Sequence, residues 1–176
     1  VPRTVLCVLG ARPGKGQTYD ALTLALRSGR RHRLNYNTME MHREQCTLRL
    51  VSNLTGINDA YIRDRRLDAD DWGNISRATE ALCGATLVLD EKARLSAAEV
   101  KSCILRHRPD MIVLDSLQLM EKNGGAWQRD YEEVAHTTHM LKELAIRHDV
   151  VILLLVQENR EADRGGAPVM AGLYGG

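Results

Sequence analysis

The chain has 176 residues, a length that fits one compact domain with a single core better than two. Its 24 Lys plus Arg stand against 23 Asp plus Glu, so no whole-molecule field draws it to nucleic acid or membrane, and any polyanion site must be local. Four cysteines without a CxxC pair read as buried thiols in a reducing compartment; with no secretory pattern at the start and no apolar run long enough to span a bilayer, the expectation is a soluble, cytoplasmic chain with no membrane partner.

From the N-terminus, "TVLCVL" (4–9) predicts a strand, followed by a Gly-rich turn and a helix-period stretch at 17–28. "RLNYNT" (33–38) predicts the second strand, with helices at 42–54, 57–64 and 69–83 behind it. The last of these opens on "ADD", which sets carboxylates at the positive end of a helix dipole. "ATLVLD" (85–90) is the third strand candidate, and Ser96 to Val100 carries the Ser-x-x-Glu capping box that opens a helix over 96–107. "DMIVLD" (110–115), a helix at 128–148 and "VVILLLV" (150–156) complete the series. Most strands are continuously apolar, which suits burial on both faces, and the strand–helix alternation predicts a parallel α/β sheet. Two stretches, 121–129 and 158–176, read as loops leaving the carboxyl ends of strands, the edge where open α/β sheets place ligands. The second is Gly-rich and expected to be mobile.

Four places carry chemistry. "ARPGKGQT", Ala11 to Thr18, lies between strand and helix; Gly14 and Gly16 let the backbone curl into a nest of N–H groups suited to a polyphosphate, and Thr18 would offer its hydroxyl to magnesium. Asp115 ends a buried strand, where a carboxylate can hold a magnesium-bound water beside phosphates. Glu40 follows the second strand and can orient or deprotonate an attacking water. Gln157 ends the last apolar run, where a neutral amide can sense a γ-phosphate. Singly, each has a plainer reading as a tight turn, a solvated aspartate, a helix-opening carboxylate or a polar strand end. The pairing of the loop with Asp115 favours the functional one.

Taken together, these residues resemble the RecA-like ATPase domain of the DnaB-type replicative helicases. "ARPGKGQT" is similar to that family's Ala-Arg-Pro-x-x-Gly-Lys-Thr, "TMEM" to its Ser-Leu-Glu-Met, and "RRLDADDWGNISRATEAL" to its segment ending in Asp-x-Asp-Trp. "MIVLDSLQLM" is similar to its Walker B strand, usually Ile-Asp-Tyr-Leu-Gln-Leu-Met, and "LVQENREADR" to Leu-Ser-Gln-Leu-Asn-Arg. The matches follow family order along almost the whole chain. The resemblance implies a RecA-like P-loop NTPase core over 1–157, its central mostly parallel sheet flanked by helices, with a tail at 158–176. It implies ATP and Mg2+ as cofactors. Thr18 and Asp115 would hold magnesium; Gly14, Lys15, Gly16 and Gln17 would line the phosphates; Arg12 would lie near the nucleotide; Glu40 would be the catalytic carboxylate; and Gln157 would couple the nucleotide to DNA. As partners it implies single-stranded DNA and a homo-oligomeric ring, a hexamer in the family, with ATP between subunits.

Three departures bear on activity. Gln17 stands where the family's loop has lysine, removing one charge-assisted contact worth roughly 1.5–3 kcal/mol. Lys15, two places earlier, would approach the same oxygens from a different point on the loop. The sequence ends in "AGLYGG", similar to the start of a DNA-contacting loop, and neither the later strands with the arginine finger nor the primase-interacting N-terminal domain has a counterpart in it. Two function classes follow: a DnaB-like helicase core whose ATP hydrolysis is coupled to single-stranded DNA in replication or recombination, or a non-catalytic nucleotide-binding or degenerate RecA-fold subunit acting through protein contacts.

Other features carry less. "RSGRRHR" (27–33) reads as a solvated turn facing away from the nucleotide. His136 and His139, one helical turn apart, lack a third metal ligand nearby. The chain has no phenylalanine, so base stacking rests on few aromatics, with Trp127 and Tyr174 in the two expected loops.

Overall fold

The structure is a computed structural model that describes residues 4–12, 14–121 and 130–157, with backbone alone at 130–132. Five strands, β1 (Leu6–Ala11), β2 (Leu34–Thr38), β3 (Leu87–Glu91), β4 (Met111–Asp115) and β5 (Val151–Gln157), form one sheet. Their order is β1-β5-β4-β2-β3, and every neighbouring pair is parallel. Parallel neighbours cannot be joined by a hairpin, so helices make the crossovers. These are α1 (Gln17–Gly29), α2 (Arg43–Thr55), α3 (Asp59–Arg63), α4 (Ala69–Cys83), α5 (Ala97–His107) and α6 (Asp130–His148).

The continuous apolar runs of β4 and β5 have the expected cause. Ile112, Leu114, Ile152, Leu154 and Val156 pack on one face against Val100 and Ile104 of α5 and Leu141 and Ala145 of α6. Val113, Leu153 and Leu155 point the other way, against α1 and the Cys46 and Leu50 side of α2. α3 and α4 pack chiefly on α2, and Ala78 is the buried residue of α4. Both expected helix starts are capped: Ser96 exchanges hydrogen bonds with Glu99, and Asp68 does so with Asp71.

The expected α/β sheet is present with small shifts. β1 runs two residues further than its apolar letters suggest, through Gly10 and Ala11, because β5 extends alongside it to the pair Ala11↔Gln157. A short 3-10 turn at Leu117–Leu119 has no sequence signal, since three residues show no periodicity. The cysteines correct the expectation of four buried thiols: all are free, but only Cys46 is fully buried, while Cys83, at the solvent side of the end of α4, is exposed. β2 buries Asn35 and Asn37, which polar residues tolerate only when partnered. Asn37 donates to Asn35 at 2.7 Å and Asn35 donates to Asp90 at 2.8 Å.

The basic run at 27–33 ends at the amino edge of the sheet, where the Arg33 N–H donates to Asp110 at 2.9 Å. No described helix is long and apolar enough to cross a membrane. The expectations for 122–129 and 158–176, including the mobile tail, Trp127 and Tyr174, fall outside the described residues.

Candidate functional site

Because all strands run parallel, their carboxyl ends share one edge, and the four chemistry-bearing stretches meet there. The loop leaves β1 and enters α1 at Gly16, the residue that caps that helix. Gly14 and Gly16 have φ of 78° and 84°, left-handed values that L side chains rarely adopt. Nothing lies within 4 Å of a Cβ built at either position, so backbone conformation, not crowding, requires glycine there.

Asp115 is the anchor of the edge. It is 3 % exposed, and burial raises its pKa above the ordinary carboxylate value. Two donors oppose that shift: the Tyr36 phenol, 2.7 Å from Oδ2, and the Thr18 hydroxyl, whereas the charge of Glu40 adds to it. Tyr36 pairs with Val113, two residues before Asp115, so its ring spans about 6.6 Å of strand to reach the carboxylate. Burial first, then the charge of Asp115, pushes the Tyr36 phenol far above its usual range and keeps it a donor. A hydroxyl and a buried carboxylate converging at Thr18 and Asp115 are the hard oxygen donors that suit magnesium.

Glu40 is held at the same edge by the main chain: the Met39 N–H donates to the Asp115 carbonyl at 2.8 Å, tying the exit of β2 to the end of β4. The Gln157 amide donates to Glu40 Oε2 at 3.3 Å. Thus Thr18, Asp115, Glu40 and Gln157, drawn from opposite ends of the described chain, form one connected group.

Gln17 does not join it. Its amide nitrogen donates to the carbonyls of Leu9 and, at 3.2 Å, of Val156, at the ends of β1 and β5. The side chain is thus turned into the sheet edge. Lys15 is exposed, and its N–H closes a turn onto the Arg12 carbonyl at 3.3 Å; Arg12 itself is half-buried.

Sequence reasoning missed two residues. In sequence Tyr36 is one letter of a strand, and its place two residues from Asp115 on the neighbouring strand follows only once the register Thr38↔Asp115 is known. Gln118 bonds the backbone of Gln157, and no local pattern marks it. His42 and Glu91 also meet, Nδ1 to Oε1 at 2.6 Å, and Arg43 N–H donates to Glu91 Oε2 at 3.0 Å, fastening the start of α2 to the end of β3. Of the histidine pair on α6, His139 lies 3.5 Å from Glu143.

The family model for the DnaB-like helicase C terminal domain matches residues 2–174. The replicative DNA helicase DnaB of Helicobacter pylori strain J99 is 32 % identical over 167 residues, and that of Geobacillus stearothermophilus 27 % over 168. These alignments cover 90 % and 92 % of the chain but 34 % and 37 % of the relatives, so the chain spans about a third of their length. Among solved structures, one described as an ATPase domain superposes with a TM-score of 0.91 at 26 % identity, over 98 % of this chain and 64 % of that one. A DnaB-like replicative helicase, described with its primase interactions, gives 0.90 at 24 %, over 98 % and 43 %, and supports the fold. The sheet is therefore a RecA-like ATPase sheet, and the chain belongs to the DnaB-like helicase C-terminal domain family.

Proposed function

We propose that residues 1–157 are an ATPase core that binds ATP with Mg2+ at the loop of Gly14 to Thr18, and that the parent activity is ATP hydrolysis coupled to single-stranded DNA within a homo-oligomeric ring. The observation that carries this is the convergence on Asp115: the hydroxyl that follows the glycine loop hydrogen-bonds a buried strand-end carboxylate, with Glu40 close enough to act on its charge. Support for DNA comes from the relatives named as replicative DNA helicases, and the ring rests on the family resemblance of the sequence motifs.

In this reading Gly14 and Gly16 present backbone N–H groups to the phosphates and Thr18 and Asp115 hold the metal. Bound magnesium would neutralise charge on the phosphates as the terminal one is transferred. Glu40 orients the attacking water and takes its proton, and Gln157, hydrogen-bonded to Glu40, reports the state of that carboxylate toward the segment that follows β5. Arg12 lies beside the nucleotide.

Gln17 favours a second reading for the chain as it stands: nucleotide binding without turnover. Its amide is engaged by strand carbonyls, and it carries no charge for developing negative charge on the phosphates. The deciding experiment is steady-state ATP hydrolysis, with and without single-stranded DNA, by this chain and its Gln17→Lys variant. Turnover by Gln17→Lys alone, stimulated by DNA and lost on Asp115→Ala or Glu40→Gln, supports an ATPase disarmed at one residue. Activity indifferent to both substitutions would remove the site from this edge.

A further inference from the structure

Pairing between β4 and β5 ends at Leu114↔Leu154, because after Asp115 the chain turns out of the sheet into the 3-10 turn Leu117–Leu119. β5 continues for three more residues, to Gln157, with β1 as its partner on the other side. On the side that β4 has vacated, Gln157 would be left with an unpaired N–H and C=O. The carboxamide of Gln118 takes both: Nε2 donates to the Gln157 carbonyl at 2.7 Å, and the Gln157 N–H donates to Oε1 at 3.2 Å. An amide side chain offers one donor and one acceptor in the spacing of a peptide group, so Gln118 stands in for the missing strand.

We infer that Gln118 is a positioning residue that links the metal-binding end of β4 to Gln157 and Glu40; this rests on the functional reading above. Gln118 lies three residues beyond Asp115, in the 3-10 turn that follows the end of β4. Its two bonds fix the backbone of Gln157, and the Gln157 side chain in turn donates to Glu40. Were Asp115 to move when the site is loaded, this turn would carry the movement to the Glu40–Gln157 pair, although Gln118 touches neither Glu40 nor Asp115 in the hydrogen bonds described. A frayed strand end would leave Gln157 free to rotate away from Glu40, while the end of β5 stays paired with β1 through Ala11↔Gln157 beside the glycine loop.

The test uses the Gln17→Lys chain as parent, with Gln118→Ala, Gln118→Met, Gln157→Ala and the Gln118→Ala/Gln157→Ala double variant. ATP turnover, binding of a fluorescent ATP analogue with magnesium, and amide hydrogen exchange at Gln157 are measured on each. Gln118→Ala is expected to lower kcat roughly tenfold, with KM and analogue affinity within about threefold of the parent. Gln118→Met, which keeps length and bulk but not the amide, should behave like Gln118→Ala, and both should speed exchange at Gln157. In the Gln157→Ala background, Gln118→Ala should have little further effect. Parental kcat in Gln118→Met, or additive losses in the double variant, overturns the role. So does a parallel loss of analogue affinity, which would mark a general structural part. A parent that neither binds the analogue nor hydrolyses ATP overturns the functional reading itself, and this role with it.

Discussion

The phenol of Tyr36 donates to Oδ2 of Asp115 at 2.7 Å, with both side chains almost wholly out of solvent. A buried carboxylate without donors is costly, and here the two donors come from separate elements, Tyr36 of β2 and Thr18 of α1. Tyr36→Phe keeps the ring and its packing and removes one donor. The folded state should lose about 1–3 kcal/mol, read as a lower urea midpoint with an unchanged slope. An unchanged midpoint would show that the hydrogen bond contributes nothing net.

The glycine loop makes a different kind of demand. At Gly16, φ of 84° is the whole constraint, because a Cβ at that position would meet nothing within 4 Å. Gly16→Ala should therefore cost about 1–2 kcal/mol through backbone strain alone and weaken binding of the ATP analogue by distorting the nest. If the variant matches the parent in both urea midpoint and affinity, the left-handed conformation is not a requirement of the folded chain.

Glu91 supplies a pH-dependent contact. The Arg43 N–H first, and the His42 side chain next, lower its pKa below the ordinary glutamate value. A lowered folded pKa means that the contribution is complete above the unfolded value of about 4.3 and fades as pH falls through the folded one. The melting temperatures of the chain and of Glu91→Gln, followed from about pH 7 to about pH 3, should therefore differ by a constant amount at the upper end and converge at the lower end. A gap that widened toward acid would contradict the assignment.

Burial separates two leucines that look alike in sequence. Leu154, in the middle of β5, is 0 % exposed, whereas Leu105, on the outer side of α5, is 57 % exposed. Leu154→Ala should lose about 2–5 kcal/mol, and Leu105→Ala should stay within about 0.5 kcal/mol of the parent. Chemical denaturation of the two variants side by side checks the orientation of both elements, and comparable losses would place Leu105 in the core.

The order and type of the major elements were legible because each has a local cause. Apolar runs of strand length, caps such as Ser96 with Glu99, and glycines at forced positive φ act within a few residues, so they survive translation into a string of letters. The strand end at Ala11 was not legible, since it depends on how far β5 runs beside it.

The residues of the candidate site divide in the same way. Gly14, Gly16, Thr18, Glu40, Asp115 and Gln157 stand out because their places after strands, and their resemblance to family motifs, are written in sequence order. Sequence alone also marked Gln17 as uncharged, but not where its amide goes. Its turn toward Leu9 and Val156, the grip of Tyr36 on Asp115 and the clamp of Gln118 on Gln157 were decided by tertiary structure. Each joins strands or turns far apart in the chain, through a register and a strand exit that no local pattern encodes. A hydrogen bond is a matter of tenths of an ångström, and only the packed sheet brings those groups so close.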